Sequence, residues 1–424
     1  MLTSVVGINW GDEGKGRMVD LLSASHDIVV RYQGGNNAGH TVINERGKFI
    51  LNLLPSGILR DEIVNVLGGG MVIDIEHLAG EIERLRARGI AVNPQRLKIS
   101  RRATISMPWN KDADALEEDR LGKDKQGSTR RGIGPAYSDR ALRKALRMDD
   151  LLDSCYLEKL VTQLVEWKNI TVAKPYGRKP YTVEETLGWL HSFGDPLVPH
   201  ISDTDDFLHN AALAGKNILF EAQLGTLRDL DYGIYPYTTS SSALAAYAPI
   251  GAGVPGMRAD RVIGVVKAYS SSIGGGPFVS EMFGDAGDAL RDAGDEYGAA
   301  TGRPRRVGAF DVVATRYGAR MQCPTELALT KLDVLDAMSE IPVCVQYEID
   351  GGRTDSFPTG SRLERAKPVI ETLPGWNASI AACRRESELP DNARRYVDWI
   401  EERVGCRIRY ISVGADREAY LERV

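Results

Sequence analysis

The sequence predicts an α/β protein in which one large, mostly parallel β-sheet is flanked by helices. Short apolar runs rich in β-branched residues alternate with amphipathic stretches along the 424 residues, as strands and their covering helices do. The apolar runs lack a regular alternation of apolar and polar residues, which indicates parallel strands buried on both faces. A strand, a glycine-rich turn and a helix follow one another at the start of the chain, an order typical of α/β proteins that bind anions.

Eight apolar runs are predicted to be strands, at residues 4–8, 28–32, 63–67, 218–220, 262–266, 327–330, 343–347 and 408–413. Residues 76–86 and 392–404 carry apolar side chains at the 3.6-residue period of helices that pack on a sheet. Residues 101–199 are richer in charged residues and helix formers, so we predict a largely helical insertion there. No repeat or linker divides the sequence, and we expect one domain over residues 1–424.

Composition and charge exclude several kinds of protein. With 43% hydrophobic and 26% charged residues, the chain is typical of a soluble globular protein, and a net charge of −5 gives no reason to expect a nucleic-acid partner. No apolar run reaches the roughly 18 residues of a membrane helix, and the N-terminus lacks the pattern of a signal peptide. The five cysteines are scattered without a CxxC pair, as in reduced proteins. We therefore expect a cytoplasmic protein without membrane or nucleic-acid partners.

The glycine-rich turn after the first strand, residues 11–16 (GDEGKG), is a candidate phosphate-binding loop. Backbone N–H groups and the positive end of a helix expected from residue 17 would surround an anion there. Lys15 can bind phosphate as a point charge, whereas Asp12 would be repelled by phosphate unless it holds a metal ion or takes a proton from a substrate. A Walker A motif would need glycine at Asn9 and serine or threonine at Gly16. Taken alone, the loop is equally compatible with a turn that carries a surface acid–base pair.

A second polar, glycine-rich segment at residues 31–41 (RYQGGNNAGHT) follows the predicted strand at residues 28–32. Loops that leave the carboxyl ends of strands in open α/β sheets line one crevice, so we expect both segments to meet there. His40 titrates near neutrality and could donate a proton in this crevice, although a lone histidine is more often structural.

Together these two segments resemble the adenylosuccinate synthetase family, which couples GTP hydrolysis to the joining of aspartate to IMP. The resemblance continues through further motifs in the family's order, at residues 129–137 (TRRGIGPAY), 233–241 (GIYPYTTSS), 267–269 (KAY), 301–308 (TGRPRRVG), 330–336 (TKLDVLD) and 411–417 (ISVGADR). It therefore covers nearly the whole chain. The fold class that it implies is a P-loop-NTPase-like sheet with a helical insertion.

The resemblance also implies a set of catalytic groups. Asp12 matches the base that removes the N1 proton of IMP, His40 the general acid at the GTP phosphates, and Lys15 the group that stabilises the transferring phosphoryl. Asp12 and the carbonyl of Gly39 would hold Mg²⁺ together with phosphate oxygens. The implied GTP site consists of Gly11, Glu13, Gly14, Lys15, Gly16, Gly39, His40, Thr41, Lys331, Asp333, Ser412 and Gly414.

The remaining substrate contacts are assigned by the same resemblance. Asp333 would accept hydrogen bonds from N1–H and the 2-amino group of guanine, with the stem of Lys331 along the base. The implied acceptor-nucleotide site consists of Asn37, Thr129, Arg143, Gln223, Thr239 and Arg303, and the implied aspartate site of Thr301, Arg303 and Arg305. Arginines between mobile glycines suit a loop that closes on a dicarboxylate. Family members supply the residue at Arg143 across a dimer interface, which implies a homodimer.

Several positions depart from the family pattern, and they cluster around the acceptor nucleotide and the amino acid. Residues 220–229 have the sequence FEAQLGTLRD where family members have FEGAQGTLLD, so Leu224 stands where an amide would face the purine. Ser271 and Ser272 replace a threonine–arginine pair. Because a buried polar group that loses its partner costs about 1–3 kcal/mol, such changes can alter substrate choice. The alternative is therefore a paralogue that uses the same mechanism on an IMP analogue or with a different amine donor.

Two other classes of protein fit the sequence less well. A GTP-binding switch protein would share the TKxD motif at residues 330–333, but it needs a Walker A loop and has no use for Asp12 or the arginine loop. A nucleotide-binding relative without catalysis would be expected to lose Asp12, Lys15 or His40, and the sequence keeps all three.

Overall fold

The computed structural model describes residues 1–124, 126–298 and 302–423. In chain order its strands are β1 (Leu2–Gly7), β2 (Ile28–Arg31), β3 (His40–Asn44), β4 (Gly47–Leu51), β5 (Val64–Leu67), β6 (Val72–Ile73), β7 (Leu97–Ser100), β8 (Thr104–Ile105), β9 (Ile201–Ser202), β10 (Ile218–Gly225), β11 (Arg261–Lys267), β12 (Ser270–Ser272), β13 (Arg306–Gly308), β14 (Phe310–Asp311), β15 (Glu326–Thr330), β16 (Glu340–Ile349), β17 (Gly352–Thr354), β18 (Lys367–Pro374), β19 (Ile408–Ser412) and β20 (Tyr420–Glu422). Its helices are α1 (Lys15–Ser23), α2 (Ile75–Arg86), α3 (Pro108–Leu121), α4 (Ile133–Leu142), α5 (Ser154–Lys168), α6 (Val183–Gly194), α7 (Thr204–Leu213), α8 (Ala248–Ala252), α9 (Gly284–Ala293), α10 (Val312–Gln322), α11 (Ser361–Glu364) and α12 (Asp391–Val404).

A ten-stranded sheet organises the fold, in the order β20-β19-β15-β11-β1-β10-β2-β5-β7-β9. Its neighbours pair in parallel, except that the edge strand β20 is antiparallel to β19. Side chains of the central strands β1 and β2 are buried on both faces, which explains why these runs show no polar alternation. The predicted α/β class with one large, mostly parallel sheet is confirmed.

Seven of the eight predicted strands lie in this sheet, and the eighth does not. The run at residues 343–347 is part of β16, which pairs antiparallel with β17 and β18 in a separate small sheet. Most side chains of the outer strand β18 are exposed to solvent, as on the wet face of an antiparallel sheet. Periodicity alone did not reveal this second sheet, because β16 contributes an apolar run that resembles those of the main sheet.

The stretch at residues 101–199 contains α3, α4, α5 and α6. Trp109, Leu157 and Leu190 from these helices join the apolar core beside α2. Lys168 on α5 forms a buried ion pair with Asp139 on α4, at 2.6 Å, so a charged contact also holds the helices together. In the part of the chain that the structure describes, no helix is both long and apolar enough to cross a membrane.

Helix α12 shows how apolar spacing fixes a helix against the sheet. It ends at Gly405, whose left-handed conformation (φ 75°) closes the last turn. One face of the helix is buried in the same apolar core as β15 and β19. The buried residues of this face follow the i, i+3, i+4, i+7 pattern and are Ala393, Tyr396, Val397 and Ile400.

The order of the strands brings several loops to one edge of the sheet. β1 lies between β10 and β11, so the chain leaves β1 toward β2 on one side and later crosses to β11 on the other. In open α/β sheets, ligands bind outside the carboxyl ends of strands at such a switch point. The loops after β1, β2, β10, β11, β15 and β19 all start at this edge.

We predict that Ile400→Ala lowers the free energy of unfolding by about 2–5 kcal/mol, because it leaves a cavity in a closed core. Glu402→Ala on the exposed side of the same helix should change it by less than about 0.5 kcal/mol. Urea denaturation of both variants measures the difference. Equal effects would contradict the packing of α12 described above.

Candidate active site

The loop between β1 and α1 turns sharply enough to point its backbone at a ligand. Gly11 (φ 96°), Asp12 (φ 59°) and Gly14 (φ 95°) all adopt positive φ angles, and Gly14 caps α1 in the left-handed conformation. The helix starts at Lys15, two residues before the predicted position. The N-terminus of α1 therefore faces the carboxyl edge of the sheet and offers an anion site.

The loop is held from within by the carboxylate of Glu13. This side chain is buried, and its Oε1 accepts hydrogen bonds from the backbone N–H groups of Asn9 (3.1 Å) and Gly11 (2.8 Å). Its Oε2 lies 2.7 Å from Nζ of Lys15, which is also buried. The carboxylate of Glu13 thus shapes the loop and positions Lys15, and only the backbone of Glu13 remains for the predicted contact with GTP.

His40 packs directly on the first turn of α1. A Cβ atom at Gly16 would lie 2.7 Å from Cβ of His40, so no larger residue fits at Gly16. Nδ1 of His40 is hydrogen-bonded to the carboxylate of Glu221 within β10. The same carboxylate accepts the backbone N–H (2.8 Å) and the hydroxyl (2.7 Å) of Ser56. Glu221 was not among the predicted site residues, and it orients the predicted general acid.

The charges around His40 favour a neutral imidazole in the absence of ligand. Burial, and then the nearby Arg31, lower the pKa of His40. Burial alone would raise the pKa of Glu221, but His40, Arg31 and Ser56 together lower it. The neutral ring therefore donates Nδ1–H to an ionised Glu221, an assignment made from the hydrogen-bond network. A bound phosphate would oppose the effect of Arg31 and favour the protonated ring.

A chain of charged groups joins Asp12 to the loops after β11 and β15. Nε of Arg305 lies 3.0 Å from Oδ2 of Asp12, and its Nη1 lies 2.9 Å from Oε2 of Glu296. Glu296 is fully buried, 2.6 Å from Nζ of Lys267 and 3.5 Å from Nζ of Lys331. Burial lowers the pKa of Lys267 to about 8, although Glu296 opposes the shift. Glu296 was also not predicted as a site residue, and it connects the arginine loop to the predicted guanine reader.

The predicted guanine site lies after β15 and β19. Lys331 adopts a left-handed conformation (φ 58°), and its amine donates to the carbonyl of Gly294. Burial raises the pKa of the half-buried Asp333 carboxyl. Arg17 on α1 donates to the hydroxyl of Ser412 (2.5 Å) and to the carbonyl of Gly414. Arg17 was missed by the sequence analysis, and it ties the phosphate-loop helix to the last loop of the site.

A cleft of about 580 Å³ extends from the phosphate loop toward the helical insertion. Among the described residues, Oδ1 of Asn37 and Nε1 of Trp10 are buried at this cleft without a hydrogen-bond partner. Such unpaired polar atoms are rare unless a ligand or water satisfies them. The predicted substrate residues that line the cleft are Asp12, Asn37, Gly39, Thr129, Thr239, Arg303 and Arg305.

Two predicted substrate residues, Arg143 and Gln223, are not among the residues that line this cleft. Arg143 is exposed at the end of α4 in a left-handed conformation (φ 61°), outside the cleft lining. Thr301 lies outside the described residues.

The glutamine in this segment stands one residue earlier than in the family pattern, at Gln223, and Leu224 takes its place. The pairing of β10 with β1 is interrupted by a bulge between Val5 and Gly7, and bulges redirect side chains. Leu224 adopts φ 58° and lines the cleft. Gln223 is fully buried, and its Nε2 donates to the carbonyl of Gly35 at 2.8 Å. The amide of Gln223 therefore lies outside the cleft lining, and its contact with the acceptor nucleotide stays a prediction.

Comparisons with known proteins agree with this geometry. The profile of a family described as adenylosuccinate synthetase matches residues 4–421. Proteins named adenylosuccinate synthetase from Carboxydothermus hydrogenoformans and Streptococcus gordonii are 46% and 42% identical to the chain over 416 residues, 98% of this chain and 97% and 96% of theirs.

Two solved structures are also similar. A fully ligated adenylosuccinate synthetase from Plasmodium falciparum superimposes with a TM-score of 0.93 at 34% identity, covering 100% of this chain and 99% of that one. The succinoaminodeoxyadenylate synthetase of cyanophage S-2L shares the fold, with a TM-score of 0.61 at 18% identity, covering 99% of this chain and 95% of that one.

We predict that Gly16→Ala destabilises the protein by about 1–3 kcal/mol, because its methyl group overlaps with His40. Gly188→Ala in α6 is the matched control, since nothing lies within 4 Å of the added methyl. That variant should gain about 0.5–1 kcal/mol from the helix preference of alanine. Urea denaturation measures both, and a gain of stability in Gly16→Ala would show that His40 does not pack where the structure places it.

Proposed function

The chain belongs to the adenylosuccinate synthetase family, and we propose that it joins L-aspartate to IMP at the expense of GTP. Adenylosuccinate, GDP and phosphate would be the products, in the route to AMP. The observation that carries the proposal is the position of Asp12, which lies between the phosphate loop and the large cleft and belongs to both. A base at this junction can act on a nucleotide in the cleft while phosphate is transferred from the loop.

The reaction needs an activated leaving group, because the 6-oxo group of IMP does not leave as oxide. Asp12 would take the proton from N1, and O6 would attack the γ-phosphorus of GTP as GDP leaves. The amine of aspartate would then attack C6 and lose a proton, and the C6–O6 bond would break so that O6 leaves as part of the phosphate. Lys15, positioned by Glu13, and His40, positioned by Glu221, would stabilise charge on the moving phosphoryl group.

Mg²⁺ fits the proposed phosphate site. Asp12 offers a carboxylate in the cleft, already paired with the cationic Arg305, and the carbonyl of Gly39 lines the same cleft. These hard oxygen donors suit Mg²⁺, which also takes phosphate oxygens. Among the described residues no cluster of acidic, histidine and cysteine side chains could hold a metal ion alone, so substrate phosphates must complete the set. The bound ion would neutralise charge between the phosphates.

Guanine selection is proposed for the loop after β15. Asp333 can accept hydrogen bonds from two guanine N–H groups that adenine does not offer. Lys331, in a left-handed conformation, turns the chain beside the proposed base site. Arg17 on α1 donates to Ser412, which links the phosphate half of the site to the base half.

The amino-acid site, the assembly and the compartment follow from the same family. Arg303 and Arg305 line the cleft and would bind the aspartate carboxylates by forked hydrogen bonds. We propose a homodimer because Arg143 points away from its own cleft. Five free cysteines are compatible with a reducing compartment, and we propose the cytoplasm.

Turnover with IMP, GTP, Mg²⁺ and L-aspartate tests the proposed function, and we expect adenylosuccinate, GDP and phosphate in equal amounts. GTP hydrolysis without an acceptor nucleotide would favour a switch protein instead. Asp12→Ala should lower kcat by about 10²–10⁴-fold, the usual contribution of a general base, while guanine nucleotide affinity stays within about threefold.

The control for this variant is Asp285→Ala, which changes an exposed carboxylate on α9 and should leave kcat unchanged. If Asp12→Ala retains activity, the base is another group.

Leu224 favours one alternative within the same chemistry, a base other than hypoxanthine in the acceptor nucleotide. An apolar side chain in a strained left-handed conformation lines the cleft where family members place an amide. Such strain costs of order 1–3 kcal/mol and persists where function requires it.

We predict that Leu224→Gln raises kcat/KM for IMP about three- to tenfold, the effect of one added neutral hydrogen bond. The KM for GTP should not change. Steady-state kinetics over a panel of IMP, its deoxy form and 2-substituted analogues measures this. A wild-type preference for another analogue, together with a loss of that preference in Leu224→Gln, would identify the alternative acceptor.

A further inference from the structure

Two departures from the family pattern touch each other in space. The family string FEGAQGTLLD places leucine at the position of Arg228, and the family's threonine–arginine pair places arginine at the position of Ser272. In the structure, Nη2 of Arg228 donates to the hydroxyl of Ser272 at 2.8 Å. Compared with the family pattern, the chain has gained an arginine at Arg228 and lost one at Ser272. These two positions are in contact although they lie 44 residues apart in the sequence.

The guanidinium of Arg228 binds both loops that form this wall of the cleft. Nη1 donates to the carbonyls of Tyr237 (2.5 Å) and Gly275 (3.3 Å). Nη2 donates to the carbonyl of Ile273 (2.6 Å) in addition to Ser272. Lysine cannot reproduce this planar fork. Tyr237, Ile273 and Gly275 all line the cleft, so the guanidinium fixes the shape of the acceptor-side wall.

The positive charge of Arg228 is compensated only in part by the protein. The side chain is 8% exposed. Burial, followed by repulsion from Arg306, lowers the pKa of Arg228 to about 10, although the charge of Asp12 opposes the shift. A buried cation in this state favours an anion nearby, and the proposed acceptor nucleotide brings a phosphate into the same cleft.

We propose that Arg228 is a positioning residue of the acceptor site, and that its guanidinium occupies the place of the arginine that family members carry at Ser272. The proposal rests on the proposed function for the identity of the acceptor. An arginine at Ser272 would start 2.8 Å from the present guanidinium and would enter the volume that it fills. Only one of the two arginines fits, so the exchange is reciprocal.

A double-mutant cycle tests the exchange. Arg228→Leu should raise the KM for IMP about tenfold while kcat changes by less than about threefold, because the wall loses its anchor but no reacting group is touched. Ser272→Arg alone should impair the enzyme by a similar factor, because two guanidinium groups then compete for one space. The combined Arg228→Leu/Ser272→Arg variant should return to within about threefold of wild type, a strong non-additivity. Arg228→Lys, which keeps charge without the fork, should recover only part of the loss.

Thermal unfolding without ligands is measured for the wild type, Arg228→Leu, Ser272→Arg and the double variant. This measurement tests the shared position of the two arginines independently of the proposed function. The shared position is wrong if the effects of the double variant on the KM for IMP and on the unfolding temperature both equal the sum of the effects of the two single variants. If Arg228→Leu leaves the KM for IMP unchanged, the positioning role is wrong. If the wild type does not turn over IMP, the proposed function fails, and the unfolding cycle still decides whether the two arginines share one place.

Discussion

The ion pairs of Arg305 with Asp12 and with the buried Glu296 are the interaction on which the site depends. Arg305 lies between Asp12 and Glu296, and Glu296 in turn holds Lys267 near Lys331. Burying charges is costly unless each finds a partner, so these groups maintain one arrangement together. The loop at residues 11–16, the segment that carries Arg305 and the turn at Lys331 come from distant parts of the chain. This network gives them a common geometry.

Substrate binding at the proposed site would require part of this ion-pair network to rearrange. Arg305 pairs with the carboxylate of Asp12 in the described conformation, although the proposed roles of both residues lie with substrates. In the proposed reaction, a dicarboxylate would bind Arg305 and a metal ion would bind Asp12, so that two new ion pairs would replace the one between these residues. Each charge would then keep an opposite charge beside it, which avoids a large electrostatic cost. Binding of the two ligands would thereby be coupled through the guanidinium of Arg305.

Sequence patterns predicted the elements that depend on local rules. Seven strands of the main sheet, the amphipathic α12 and the glycine-rich loop followed from periodicity and turn chemistry. The orienting carboxylates Glu13, Glu221 and Glu296 did not, because their roles depend on which N–H or cation lies opposite in the folded chain. Leu224 was recognised as a departure, but only the bulge in β10 shows that it faces the cleft while Gln223 turns away.

The two halves of the site differ in how freely their side chains can change. At the phosphate half, Glu13 satisfies two backbone N–H groups and one lysine, and His40 leaves room for nothing larger than glycine at Gly16. A substitution there disturbs several contacts at once. In the half of the cleft proposed for the acceptor nucleotide, backbone carbonyls of the wall accept hydrogen bonds from the guanidinium of Arg228. A guanidinium from another loop could donate to the same carbonyls. Divergence can therefore accumulate around the acceptor while the phosphate chemistry stays fixed.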